Sequence, residues 1–222
     1  MEKMPYQPGL DVVPQPVPLP VPDAPSNDWR TGLPTLTGSR VMLRDLRMTD
    51  AETLFAAVSS DEASRFISPP PACIAGFERF IAWSHRQRQA GQCVAFAIVP
   101  RGSDTAIGLF QVRSFEPDFG TAEWGFALAP EFWGAGLFVD GARLVIDFAF
   151  DVIGAHRLEA RASLKNGRGN GALRKLGAVQ EGVLRRSFLR NGEFHDQMLW
   201  TILAEEWREA MKSVWGSDSV VH

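Results

Sequence analysis

The amino-acid sequence predicts a mixed α/β layer fold, with a mostly antiparallel central sheet flanked by helices. Three observations predict it. Apolar periodicity runs in the order strand, helices, three strands, helix, strand, helix, hairpin. The segment Gly136–Phe150 is apolar on nearly every face, which suits a helix buried against a sheet. The chain closes on two strand-like runs, Val179–Arg190 and Glu193–Leu203, around Asn191-Gly192. That dipeptide suits a type I′ turn, whose two central residues both need positive φ.

Composition sets the limits on this fold. Of the 15 prolines in 222 residues, all but six lie at or before Pro34. Residues 1–33 therefore read as an extended tail. Its run Val13–Pro22 alternates proline with other residues, a pattern for a polyproline-like strap or a ligand for a proline-reading module. Residues 34–207 are left as one domain, and 208–222 as a C-terminal tail. A hydrophobic fraction of 45% excludes wholesale disorder, and a net charge of −3 argues against a general nucleic-acid binder. No stretch approaches the roughly 20 apolar residues of a membrane span; Asp147 and Asp151 interrupt the best candidate, Leu144–Ile153. Two cysteines, Cys73 and Cys93, fit a reducing compartment, and the expected location is cytoplasmic.

Taken in order, the first strand opens near Gly38, where Val41 and Leu43 alternate with Met42 and Arg44. Thr49 to Glu52 has capping-box spacing and starts a helix carrying Leu54, Phe55 and Val58. Prolines 69–71 end that region. Phe77, Phe80, Ile81 and Ser84 form the buried stripe of a second helix, which Gly91 stops. Cys93–Val99 and Thr105–Val112 flank a turn at residues 101–104, and a third strand runs from Thr121 to Leu128. Arg157–Ala162 alternates as a strand with one solvated face. A short helix over residues 170–177 ends at Gly177, and the glycines at 167, 169 and 171 predict that it is shortened or loose, since each costs about 1 kcal/mol relative to alanine.

The chemistry concentrates in Glu123–Gly136. A strand leads to a loop with glycines at 134 and 136, then to the long helix. Bare backbone N–H groups and a helix N-terminus suit a phosphate, although such glycines also serve as a plain loop. The loop is neither a Walker motif nor a full dinucleotide fingerprint. Lys165, Arg168, Arg174 and Lys175 make the following segment locally basic, suited either to a polyanion or to a solvated helix face. Asn166 stands at a strand end, where its amide is placed to meet an extended ligand. The four histidines are scattered without metal-ligand spacing, so no metal is expected.

From about Leu36 to Trp207 the chain resembles the GNAT superfamily of acyl-CoA-dependent N-acetyltransferases, and within it the RimJ/RimL-like branch. The resemblance rests on Val41-Met42-Leu43-Arg44 with Asp50, Glu123-Trp124-Gly125, and Trp133-Gly134-Ala135-Gly136-Leu137. It extends to Asn166 with Lys175-Leu176-Gly177, and to Glu181–Arg185 with Asp196. It implies a sheet splayed between its fourth and fifth strands, the one ending near Leu128 and the one beginning near Arg157. Acetyl-CoA would lie in that splay. Its pantetheine would pair with backbone at Phe126, Ala127 and Leu128. Its pyrophosphate would sit on the N–H groups of Gly134, Ala135, Gly136, Leu137 and Phe138, with Asn166 and Gly169 beside the pantetheine arm.

An amine acceptor would attack the thioester directly: a protein N-terminus, an amino acid or a polyamine-like amine. Glu123 is the candidate general base, and its structural alternative is a carboxylate that orders the sheet. Asp140, in the first turn of the long helix, reads as structural. The chain departs from the family in lacking a tyrosine outside the tail (Tyr6 is the one present) and in carrying Gly169 where the branch has serine. A catalytically weak acyl-CoA-binding sensor is therefore the alternative function. Neither a nucleic-acid nor a membrane partner is expected, and a homodimer is.

Overall fold

A computed structural model describes residues 28–115 and 119–216. Eight strands form one sheet: β1 (Leu36–Thr37), β2 (Val41–Asp45), β3 (Cys93–Pro100), β4 (Gly108–Ser114), β5 (Thr121–Leu128), β6 (Arg157–Ser163), β7 (Val179–Arg190) and β8 (Glu193–Leu203). Their spatial order is β1-β2-β3-β4-β5-β6-β8-β7. Every neighbouring pair is antiparallel except β5–β6. The short edge strand β1 precedes the first expected strand, so the fourth and fifth strands of the sequence reading are β5 and β6. The helices are α1 (Ala51–Val58), α2 (Asp61–Ser64), α3 (Ile74–Gln89), α4 (Leu137–Phe148), α5 (Gly167–Lys175) and α6 (Ala204–Gly216).

Strand β3 shows how the layers form. Val94, Phe96 and Ile98 alternate with Ala95, Ala97 and Val99, and all six are buried. The first set joins Phe110, Val112, Val145 and Ile146 in the core beneath α4. The second meets Leu54 of α1 with Phe77 and Ile81 of α3. A strand buried on both faces reads as a continuous apolar run, as this one does. The closing hairpin turns at Asn191 (φ 50°) and Gly192 (φ 80°), as the sequence predicts.

Several expectations are corrected. The chain packs outside 34–207 at both ends. Trp29 is 5% exposed and meets Phe119 edge to face at 5.7 Å, while α6 runs through residue 207 to Gly216. A large aromatic ring and an amphipathic helix both have apolar area to bury, whatever the composition around them. The run Val13–Pro22 lies outside the described residues. Helix α4 is buried against the sheet, as expected, with Arg143 and Asp147 exposed on its one polar face, four residues apart. The Thr49–Glu52 capping box does not form. Instead Asp50 reaches back to the Arg47 N–H (2.7 Å) and pairs with the buried Arg44 at 2.7 and 2.8 Å. A buried guanidinium needs a charged acceptor, and Asp50 supplies it while capping the turn before α1 through Arg47.

Helix α5 is longer than expected, not shorter. It begins at Gly167 and carries all three glycines within it. The Asn166 Oδ1 accepts from the Gly169 N–H at 2.9 Å and caps the helix. The buried Asn170 fastens it from inside. Its Nδ2 donates to Ser163 O and Asn166 O, both at 2.9 Å, and its Oδ1 accepts from Trp200 Nε1 at 2.9 Å. Those tertiary bonds outweigh the weak helix propensity of glycine.

Asp140 ties α4 to the β1–β2 turn. Its carboxylate accepts from Arg40 N (2.7 Å), Ser39 Oγ (2.9 Å), Val41 N (3.0 Å) and Ser39 N (3.2 Å). Burial pushes this carboxyl up, but the four donors outweigh it and hold it below the usual carboxylate range. Asp140→Asn keeps the shape and loses the charge, and is expected to cost about 1–2 kcal/mol. A depressed folded pKa contributes stability above the unfolded value, roughly 4, and loses it as pH falls through the folded value. Urea melts of the two proteins should therefore differ at pH 7 and converge toward pH 3. A gap that stays constant with pH would remove the charge from this account.

Candidate active site

Strands β5 and β6 pair over only three positions, Thr121–Arg157, Ala122–Leu158 and Glu123–Glu159. Beyond Glu123 they diverge, although β5 continues to Leu128 and β6 to Ser163. The bonds Phe115 N to Thr121 O (3.0 Å) and Ala129 N to Ile107 O (2.9 Å) set the β4 side of β5. Strand alternation then aims the backbone of Trp124, Phe126 and Leu128 away from β4, into the gap. Leu128 O is taken by Trp133 Nε1 at 2.8 Å. The Phe126 peptide is thus directed into the splay with no strand opposite it.

Two cavities open at this gap and share part of their lining. One, of about 470 Å³, is walled by the start of α4 and by α5. Among the residues expected around a cofactor, Phe126, Ala127, Leu128, Gly134, Gly136, Phe138, Asn166 and Gly169 line it, whereas Ala135 and Leu137 do not. Lys175 and Arg168 of the basic segment also line it, and Arg174 stacks on Trp200 instead. Gly134 and Gly136 both have φ near +80°, a conformation that favours glycine and turns the loop into the α4 N-terminus. At Gly169 an added Cβ would come within 2.5 Å of Asn166 Nδ2, so the glycine in place of serine makes room for the capping side chain.

The second cavity, of about 440 Å³, lies on the α1–α3 face and contains Glu123. Glu123 Oε2 accepts from Arg113 Nη2 at 2.6 Å, and Oε1 lies 3.9 Å from Arg161 Nε. Phe66, Ile67, Phe126, Ala127 and Asn166 line both cavities, so the two meet across the splay. Strand β7 bulges between Leu184 and Phe188, with Arg186 at φ 49° and its N–H bonded to Asp196 Oδ1 at 2.8 Å. Bulges re-aim side chains, and this one precedes Phe188, which lines the second cavity. His195 lines neither cavity and lies against the Phe188 ring.

Sequence reasoning missed three contributors. Arg113 and Arg161 alternate with buried residues and look like ordinary solvated positions until the β4–β5 register pairs Arg113 with Glu123. Trp133 is more than packing, because Arg168 stacks over its ring at 3.9 Å and links the loop to α5. Strand register was the missing signal for the first pair. None existed for the second.

A family model described as the acetyltransferase (GNAT) domain matches residues 40–179, more than half of the chain. The chain belongs to the GNAT acetyltransferase family. This GNAT chain is 27% identical over 175 residues to the N-acetyltransferase YoaA of Bacillus subtilis, covering 77% of this chain and 97% of that protein. It is 29% identical over 86 residues to the spermidine N(1)-acetyltransferase of Escherichia coli, covering 39% and 46% of the two chains. Mycobacterium smegmatis RimJ in complex with CoA-disulfide superposes with a TM-score of 0.71 at 22% identity, over 81% of this chain and 90% of that one. The mixed α/β layers and the mostly antiparallel sheet are those the resemblance implied; the eighth strand, β1, is an addition.

Proposed function

We propose that this enzyme transfers the acetyl group of acetyl-CoA to a primary amine by direct attack, with both substrates bound at once. The observation that carries the reading is the meeting of two cavities at Phe126, Ala127 and Asn166. The residues fit an acyl-CoA on the α4–α5 side. The Phe126 peptide offers a strand-like partner to pantetheine amides. The α4 N-terminus after two positive-φ glycines offers N–H groups to a pyrophosphate, with Arg168 and Lys175 beside it. Arg40 adds a guanidinium there, with Nη1 3.4 Å from Ala135 O.

The amine would enter from the α1–α3 side. It must first lose its ammonium proton to solvent. As its nitrogen forms the C–N bond to the acetyl carbon, the C–S bond breaks and the electron pair leaves on sulfur. Glu123 takes the second amine proton, and water supplies one to the thiolate. Tyr6 lies outside the described residues, and among the described residues no tyrosine lines either cavity, so water is assigned that role; this and Gly169 in the serine position stand behind the sensor alternative.

Calorimetric titration of acetyl-CoA into the protein and into Gly134→Trp tests the cofactor site. A Cβ at Gly134 meets nothing within 4 Å, so the indole has room to obstruct the loop, and the positive φ costs about 1–2 kcal/mol locally. Binding should fall at least 100-fold in the variant with its circular dichroism unchanged. Failure of the wild type to bind acetyl-CoA would overturn both the transferase and the sensor readings. Binding without turnover of any amine would leave the sensor.

A further inference from the structure

We infer that the acceptor is a small amine carrying its own carboxylate and an apolar side chain, an α-amino acid rather than a polyamine, with Arg113 and Arg161 selecting it. The inference rests on the transferase reading and concerns the acceptor side of the same site. Among the described residues lining the cavity on the α1–α3 face, the charged ones are Arg113, Glu123 and Arg161. Two guanidiniums and one carboxylate leave one positive charge in excess. Side-chain exposures of 55%, 24% and 38% in that order put Glu123 innermost and the two guanidiniums nearer the rim.

That order of charges is the complement of a zwitterion. An ammonium is drawn to Glu123, and a carboxylate two bonds away from it falls beside a guanidinium. Arg113 gives one N–H to Glu123, and each guanidinium carries five donors in a fork that matches a carboxylate. A polyamine would bring two or more positive charges toward an already positive mouth and would be repelled in a half-closed cavity. A peptide N-terminus supplies the ammonium without the adjacent carboxylate. The rest of the wall is mostly apolar, with Phe66, Ile67, Phe77, Phe80 and Phe188 beside the polar Ser68, Gln111, Asn166 and Gln197, and accepts a hydrophobic side chain.

The test is calorimetric binding of N-acetyl-L-phenylalanine, its carboxamide and N-acetylspermidine to the full chain in the presence of CoA. The free acid should bind at least tenfold more tightly than either other ligand. Arg161→Gln, which leaves the Arg113–Glu123 contact in place, should bring acid and amide within about threefold of each other. Equal binding of acid and amide by the wild type would overturn the inference, as would an unchanged ratio in Arg161→Gln or tighter binding of the spermidine derivative. Failure of the transferase reading is seen separately. The same titrations without CoA still report the acid-to-amide ratio if acetyl-CoA does not bind, whereas acetyl-CoA binding with no acid preference removes the acceptor class alone.

Discussion

Asp50→Ala is expected to destabilise the fold by about 3–5 kcal/mol, the largest stability effect of any single substitution considered. Arg44 and Asp50 are each 4% exposed, and their two parallel hydrogen bonds measure 2.7 and 2.8 Å. Removing the carboxylate strands a guanidinium in the interior and releases the Arg47 N–H as well. The remaining partners are the Asp45 and Asp104 carbonyls at 3.1 and 2.9 Å and the exposed Asp104 carboxylate, whose Oδ1 lies 3.6 Å from Arg44 Nε; a solvated carboxylate at that distance does not replace the buried bidentate one. A loss of that size is a large share of a domain's usual stability of about 5–15 kcal/mol. Chemical denaturation followed by tryptophan fluorescence measures it. The double variant Arg44→Met/Asp50→Leu should recover part of the loss, because it buries no unpaired charge. A single-variant loss below about 1 kcal/mol would mean that the pair is solvated in solution.

Glu123→Gln is expected to lower kcat by about 10²–10⁴-fold, the range for loss of a positioned general base, while acetyl-CoA affinity stays within threefold. Glutamine keeps the side-chain shape and a hydrogen-bond acceptor for Arg113, but it cannot take a proton from the amine. Two roles are separated by this variant. If Glu123 only braces β4 against β5 through Arg113, the melting temperature falls and kcat does not. If it is the base, kcat falls and the fold tolerates the change. Turnover within threefold of wild type would remove Glu123 from the proton transfer.

The legible parts of this protein are those whose pattern is local. The β7–β8 hairpin was readable to the residue, because Asn191-Gly192 admits few turns and both flanking runs are long. The loop before α4 was readable because Gly134 and Gly136 stand between a strand and an apolar helix. Helix α5 differs from the expectation because Asn170 fastens it to Ser163 and to Trp200, the latter thirty residues away and beyond any local window. The Arg113–Glu123–Arg161 cluster was invisible for a similar reason. It is assembled from three strands, and its geometry depends on one register and one three-rung parallel joint. The capping box was misplaced because the chain turns earlier, where Asp50 both caps Arg47 and pairs with the buried Arg44.

The splay in the sheet has a consequence for traffic. The two cavities have largely separate linings and share five residues at the gap. On the proposed reading, donor and acceptor would use separate doors, and neither would have to leave for the other to arrive or depart. A single-mouthed cleft imposes a queue; a perforated sheet does not. The proposed direct attack would then leave the order of binding to relative affinity and concentration, and the chemistry would wait only for both doors to be occupied.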